Sequence, residues 1–107
     1  MSAAYLVIYE GRPHRPEEWL RYYRDVHVPL VWQLPGLRGV ELHVGRDGGD
    51  VFMVTRLRFD SLDELRRAIT SAPRVRTRED MEVHLLPSFE GRVRHQVTEV
   101  IEVGALH

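Results

Sequence analysis

The fold is decided by residues 40–59, VELHVGRDGGDVFMVTRLRF, which have the pattern of two strands joined by a turn. Apolar and polar residues alternate on both sides of Arg46-Asp47-Gly48-Gly49, a composition typical of a hairpin turn. Folding the chain about this turn places apolar residues together on one face of the hairpin. The predicted pairs on that face are Val44 with Val51, Leu42 with Met53 and Val40 with Thr55. The opposite face is predicted to carry His43 with Phe52, Glu41 with Val54, and then Arg56.

The segment before the hairpin predicts a strand followed by a helix. Residues Tyr5 to Tyr9, YLVIY, form a short run of β-forming residues, which predicts a strand buried on both faces. Pro16 is well placed to open a helix, because acidic side chains follow it in the first turn. Apolar and aromatic residues then recur at three- and four-residue spacing until Pro35-Gly36. They are Trp19, Tyr22, Tyr23, Val26, His27 and Leu30.

The segment after the hairpin predicts a second helical region and a last strand. Ser61 to Glu64 has the spacing of a capping box, and a helical stripe of apolar residues follows as far as Ala72-Pro73. Residues 77–86 predict a second short helical piece. Residues 92–103 alternate over a long stretch, which indicates a final strand.

The resulting order of strand, helix, strand, strand, helix, strand predicts an α+β, ferredoxin-like fold. In this arrangement a four-stranded antiparallel sheet carries both helices on one face. The other face would display His43, Phe52 and Val54, a mixture too apolar for water. We therefore expect a homodimer through this sheet face, a dimeric α/β barrel whose paired sheets enclose a lumen for a small hydrophobic molecule.

The composition limits the available chemistry. The chain has 107 residues, enough for a single domain spanning 1–107, and its formal net charge is −1. All 15 basic residues are arginine, which excludes a Schiff-base lysine, and the absence of cysteine excludes thiolate nucleophiles and zinc–thiolate sites. The balanced charge does not indicate nucleic-acid binding, and no apolar run is long enough for a membrane span, so we expect a cytoplasmic protein.

The strongest catalytic candidate is His27, with Tyr23 one helical turn before it on the same face. Pro29 cannot donate a hydrogen bond to the carbonyl of Asp25, so His27 is expected at a kink or helix end. A histidine near its ordinary pKa suits general acid–base catalysis at neutral pH. The structural alternative is a helix-capping histidine bonded to that free carbonyl.

Several further side chains are candidates for binding a substrate. They are Tyr5, Tyr9, Trp19, His43, Phe52, Val54 and Arg56. Alternation alone does not decide whether Tyr5 and Tyr9 or the opposite face of their strand points inward. Glu41 and His43 share a strand face, where they are either an acid–base pair, half of a metal site, or solvated edge residues. No metal-binding motif or cofactor fingerprint is present, so neither a metal nor a cofactor is expected.

Residues Arg21 to Leu30, RYYRDVHVPL, followed by Leu34-Pro35-Gly36-Leu37, resemble the EthD family of dimeric α+β barrel proteins. That family typically has a paired aromatic, then His-x-Pro-Leu, then Pro-Gly-Leu before the second strand. The resemblance implies a ferredoxin-like fold that dimerises through its sheets and works without a cofactor. It also implies a catalytic role for His27, because related lactone isomerases have a histidine at the matching position.

Together these observations predict a small cofactor-independent enzyme that transfers a proton on an aromatic or polyketide-like molecule. Isomerisation, cyclisation and dehydration each need proton transfer without redox equipment. In this prediction His27 moves the proton and Tyr23 orients the substrate. The alternatives are a non-catalytic carrier of a hydrophobic metabolite and a cofactor-free monooxygenase.

Overall fold

The computed structural model describes residues 1–104 and has the predicted ferredoxin-like fold. The strands are β1 (Ala3–Pro13), β2 (Leu37–Val44), β3 (Val51–Phe59) and β4 (Phe89–Glu99). The helices are α1 (Pro16–Tyr22), α2 (Val28–Val31), α3 (Leu62–Ile69) and α4 (Ala72–Asp80). The sheet order is β2-β3-β1-β4 and all neighbours are antiparallel. The fold class predicted from the element order is therefore confirmed.

The hairpin forms as predicted, but its register is displaced by two residues. Val44 pairs with Met53, and the same offset brings His43 opposite Val54. The Gly45 N–H donates to the Phe52 carbonyl at 2.8 Å, and in the turn beyond this bond three consecutive residues from Asp47 have positive φ angles of 59°, 94° and 90°. The predicted pairs were wrong, although the division of β2 into two faces was correct, since a shift of two keeps each side chain on its face.

Phe52 lies on the face opposite to the predicted one. A bulge interrupts the pairing of β3 with β1 between Tyr9 and Glu10, and Phe52 is the residue it leaves without a partner in β1. The Phe52 ring packs on the helix side, 5.7 Å from the Trp19 ring and 6.3 Å from the Phe89 ring. Phe52 therefore belongs to the hydrophobic core and not to the open sheet face.

The core lies between the helices and one face of the sheet. Alternate residues of β1, including Tyr5 and Tyr9, point toward the helices and are buried. The residues between them, Leu6 and Ile8, face the other side and are only half-buried, so β1 is not covered on both faces in the single chain. The open face carries these two residues with Val54 at its centre.

Two wide turns interrupt the helical layer, each ending two residues before a proline. A π-helical turn spans Tyr23–His27 ahead of Pro29, and a second spans Met81–Leu85 ahead of Pro87. A proline ring clashes with the carbonyl four residues earlier, and a turn closed by a five-residue hydrogen bond relieves that clash. The kink expected near His27 is present as this first π-turn.

Three element boundaries differ from their predicted positions. Helix α4 begins at Ala72 rather than residue 77, because Pro73 stands in the first helical turn, where a missing N–H has no cost. Strand β4 spans Phe89–Glu99 instead of residues 92–103, and β1 extends beyond Tyr5 to Tyr9 in both directions. Within the described residues, no helix has the length and apolarity needed to cross a membrane.

Candidate active site

A buried His27–Asp80 pair forms the centre of the candidate site. The first π-turn carries His27, and Asp80 is the last residue of α4, so the pair joins the two helical segments. His27 Nδ1 lies 2.8 Å from Asp80 Oδ2, and only 2% of His27 is exposed. The Tyr22 hydroxyl donates to the other oxygen, Asp80 Oδ1, at 2.6 Å. Asp80 accepts on both oxygens, as a carboxylate does, so His27 carries its proton on Nδ1.

The protonation of the pair follows from opposing effects. Burial lowers the pKa of His27 below its ordinary value of 6.5, the hydrogen bond and charge of Asp80 act against this, and the charge of Arg74 adds to the lowering. Burial, the hydrogen bond to Asp80 and its charge raise the pKa of Tyr22 to about 12. At neutral pH the imidazole and the phenol are therefore both neutral, and Asp80 fixes one tautomer of the imidazole.

The second imidazole nitrogen, Nε2, is free to act on a ligand. Within residues 1–104, the structure gives His27 no hydrogen bond except the one to Asp80, and no buried side-chain nitrogen or oxygen lacks a partner. Nε2 must therefore reach open space, and the space that His27 borders is a cavity between the helices and the sheet. A neutral nitrogen with a lone pair in such a position is a candidate general base.

Tyr23 stands beside His27, but its hydroxyl is already engaged. The Tyr23 hydroxyl lies 2.7 Å from Thr55 Oγ1 and accepts from the Tyr9 hydroxyl at 3.0 Å. Burial raises the pKa of Tyr23 to about 12 and the pKa of Tyr9 well above 10. The two rings of Tyr23 and His27 are 4.7 Å apart and tilted by 43°. Tyr23 therefore packs against the imidazole and closes a buried polar chain.

The cavity is small, with a volume of about 30 Å³, and it is partly open to solvent. Apolar and aromatic side chains form most of the wall, and polar side chains gather at two ends. One end has His27, Tyr23 and Thr55, and the other has His95 and the hydrogen-bonded pair Arg74 and Thr77 beside the Tyr5 ring. An apolar wall with a few polar groups is the kind of lining that ligand-binding clefts have, although the space itself is smaller than such clefts usually are.

The sheet separates the predicted site residues into two groups. Tyr5 lines the cavity with His27, and Tyr9 lies behind Tyr23. Trp19 is buried in the core, where its indole N–H donates to the carbonyl of Leu85 at 3.0 Å. His43, Val54 and Arg56 lie on the open face, on the far side of the sheet from His27. The predicted set thus does not form one site.

The polar residues of the open face form ion pairs with one another. His43 Nε2 lies 3.0 Å and Arg56 3.3 Å from the same oxygen of Glu41. This arrangement matches the solvated alternative for Glu41 and His43. Within residues 1–104, no group of three or more His, Cys, Asp or Glu residues is positioned to hold a metal ion.

Sequence reasoning missed Asp80, Arg74, Thr55 and His95. Asp80 ends the charged run RTRED (76–80), which has no distinguishing pattern. The predicted start of the second helical piece at residue 77 also left Arg74 outside any helix. One signal was available: His95 is two residues from Val93 and from Val97, so the predicted strand puts it on their face. In the structure its partner in β1 is Val7, between Tyr5 and Tyr9.

The sequence matches no protein-family model and no curated protein. An EthD family protein from Bacillus halodurans superposes with a TM-score of 0.79 at 16% identity, covering 94% of this chain and 100% of that one. The chain shares the EthD fold.

Two other solved structures extend the comparison. This chain also superposes on a dimeric protein of unknown function from Bacteroides fragilis, which has a ferredoxin-like fold. The TM-score is 0.63 at 17% identity, and the match covers 92% of this chain and 96% of that one. SnoaB, a cofactor-independent oxygenase from Streptomyces nogalater, matches with a TM-score of 0.65 at 14% identity over 95% of each chain. At these identities the likeness concerns the EthD-like fold.

Proposed function

We propose that the protein is a small cofactor-independent enzyme that uses His27 as a general acid–base on a hydrophobic, cyclic carbonyl compound. The observation that carries the proposal is the orientation of His27, with Nδ1 held by Asp80 and Nε2 open to the cavity. The aromatic and polyketide-like compounds expected from the sequence belong to this substrate class. The cavity wall of tyrosine and aliphatic side chains supports such a molecule.

The reaction needs only a proton to move. His27 Nε2 takes a proton from a carbon next to the carbonyl, and the electron pair of that C–H bond becomes the enolate. The imidazolium then returns the proton to a different atom of the same molecule, which gives an isomer, or to a leaving oxygen, which gives a dehydrated product. Asp80 stabilises the imidazolium while it exists, and a general base of this kind contributes about 10²–10⁴-fold.

Oxygenation is a second candidate, supported by the cofactor-independent oxygenase SnoaB among the structures of the same fold. Here the enolate formed by His27 reacts with O₂. A substrate CH₂ group becomes a carbonyl that keeps one oxygen atom, and the other oxygen leaves as water with the two hydrogens. The reaction consumes O₂ and no other co-reactant, and its first step is again proton removal by His27.

The test is hydrogen exchange on 2-tetralone, a bicyclic ketone with acidic C–H bonds next to its carbonyl. We expect the protein to accelerate deuterium uptake in D₂O, followed by NMR, and His27→Ala to lose about 10²-fold or more of that acceleration. His14→Ala is the matched control, because His14 is an exposed histidine bonded to Glu90 and does not border the cavity.

The outcomes separate the functions. Equal exchange by wild type and His27→Ala would refute the role of His27. Saturable binding of the ketone without exchange above the buffer rate would favour a carrier. Oxygen consumption together with His27-dependent exchange would select the oxygenase over the isomerase.

A homodimer through the open sheet face is the assembly we propose. Leu6, Ile8 and Val54 are half-buried at the centre of that face, with ion-paired side chains around them. The similar protein from Bacteroides fragilis is dimeric, which supports the same state here. A second copy laid across this face would cover the apolar centre of both sheets.

A further inference from the structure

The end of the cavity away from Asp80 is basic. The Arg74 guanidinium carbon lies 6.0 Å from the centre of the Tyr5 ring, and the His95 imidazole centre lies 5.7 Å from that same ring. Arg74 belongs to the first turns of α4, and His95 belongs to β4, so the helical layer and the sheet each contribute one basic group to this end. Both side chains line the cavity with His27.

Arg74 is half-buried without a counter-ion. Its described hydrogen bond is from Nη1 to Thr77 Oγ1, at 3.0 Å, a neutral acceptor. In the described part of the chain, no carboxylate oxygen lies within 4.0 Å of Arg74. Asp80 lies on the same helix, but both of its oxygens are engaged by Tyr22 and His27.

The charge of Arg74 reaches the groups around the cavity. It contributes to the lowered pKa of His27 and of His95, in each case after the larger effect of burial. A cation that disfavours other positive charges favours a negative one in the same place. A half-buried guanidinium also loses less solvation when it meets an anion than an exposed one does, so its attraction for the anion is stronger.

We propose that the ligand of this cavity is a cyclic organic monoanion whose charged oxygen pairs with Arg74 while its ring lies against Tyr5. The inference deepens the proposed function by naming the substrate class, and it rests on that function only for the statement that the ligand is a substrate. The anionic oxygen belongs either to a carboxylate or to an ionised 1,3-dicarbonyl, since both present the same charge to a guanidinium. His27 then acts on a carbon of the bound ring at the other end of the cavity.

The proposal is tested by binding of matched probes, measured by calorimetry with the full chain. Benzoate represents the carboxylate, 1,3-cyclohexanedione represents the ionised dicarbonyl at neutral pH, and benzamide is the neutral analogue of benzoate. A charge-assisted hydrogen bond predicts at least about 10-fold tighter binding of an anion than of benzamide. Whichever of the two anions shows this preference identifies the source of the charge.

Arg74→Gln should remove the preference for the anion and leave the affinity for benzamide unchanged. Arg74→Lys keeps the charge, and we expect it to restore part of the preference. Arg76→Gln is the matched control, because Arg76 lies on the same helix but is exposed and bonded to Gln33. We expect Arg76→Gln to bind all three probes as wild type does.

Equal affinity for benzoate, the dione and benzamide would overturn the proposal, and so would a preference for the anion that survives in Arg74→Gln. These measurements need no proton transfer. If the preference is absent while exchange on 2-tetralone still depends on His27, the substrate class is wrong and the proposed chemistry stands. If the preference is present and exchange is absent, the anion site stands and the catalytic role of His27 fails.

Discussion

Burial and the Asp80 carboxylate act in opposite directions on the imidazole of His27. Burial has the larger effect, so the pKa of His27 lies below 6.5 in the folded protein. Between that value and 6.5 the unfolded chain binds a proton that the folded chain does not. The free energy of unfolding therefore falls as the pH drops from 6.5 toward the folded-state pKa of His27. Above pH 6.5 the imidazole is neutral in both states, and His27 causes no loss of stability. A general base at this position is in its active, neutral form at pH 7.

Replacing Asp80 with Asn tests the opposition between burial and Asp80 directly. The substitution removes the charge that supports the imidazolium, so we expect the pKa of His27 to fall below its wild-type value. Titration of the His27 ring protons by NMR measures the change. The matched control is Asp25→Asn, because Asp25 is an exposed carboxylate paired with Arg24. An unchanged titration of His27 in Asp80→Asn would show that the charge of Asp80 does not support the imidazolium.

The two members of this pair were not equally predictable from the sequence. His27 was found because proline follows it at two residues and tyrosine precedes it at four, which is local information. Asp80 is 53 residues away, and its neighbours in the RTRED run are equally charged. What distinguishes Asp80 is its contact with Tyr22 and His27 of the first helical region, a tertiary contact that no local pattern encodes.

The two π-turns bring the cavity residues together at the level of elements. Tyr23 and His27 are the first and last residues of the first π-turn, and Met81 opens the second, directly after Asp80. The prolines at 29 and 87 made an interruption predictable, since each lacks an N–H for the helix. The sequence did not predict whether a π-turn or the end of the helix would precede each proline. Either one relieves the clash with the proline ring, and no local pattern favours one over the other.

The two serines that begin α3 and α4 provide a prediction at this scale. Ser61 Oγ accepts a hydrogen bond from the Glu64 backbone at 3.2 Å, as its capping-box position predicted, whereas Ser71 makes no capping bond to α4. We expect Ser61→Ala to lower the free energy of unfolding by about 1 kcal/mol. Urea denaturation measures it, with Ser71→Ala as the comparison. Ser71→Ala removes a hydrogen bond to the Ala68 carbonyl but no capping bond. An unchanged free energy of unfolding in Ser61→Ala would show that the cap contributes nothing.

One sheet divides the whole molecule into a face covered by helices, which holds the cavity, and an open face. Alternation along the strands predicted which residues share a face, and that part was correct for β2 despite the displaced register. Alternation does not state which face the helices cover, so Tyr5 and His43 were both candidates for one lumen. The structure puts Tyr5 with the helices and His43 on the open side. The described lining of the cavity on the helix side comes from one chain.

The separation of the faces gives the final prediction, which concerns Val54 at the centre of the open face. A glutamate there would bury two like charges near the two-fold axis of the proposed dimer, so we expect Val54→Glu to elute as a monomer while wild type elutes as a dimer. Val83→Glu is the matched control, because Val83 is 64% exposed on the helical layer. Light scattering after gel filtration measures the mass of each variant. A monomeric wild type or a dimeric Val54→Glu would contradict the assembly.

Val54→Glu also distinguishes a ligand site in a lumen between paired sheets from a ligand site in the cavity around His27. A lumen between paired sheets would disappear in a Val54→Glu monomer, and binding of a cavity ligand would be lost with it. The cavity around His27 lies on the other side of β1 and β3, and its described lining comes from one chain. We therefore expect the monomer to bind benzoate as the dimer does, because Arg74, Tyr5 and His27 keep their positions when the open face is exposed. Loss of binding on dissociation would mean that the partner supplies part of the cavity wall.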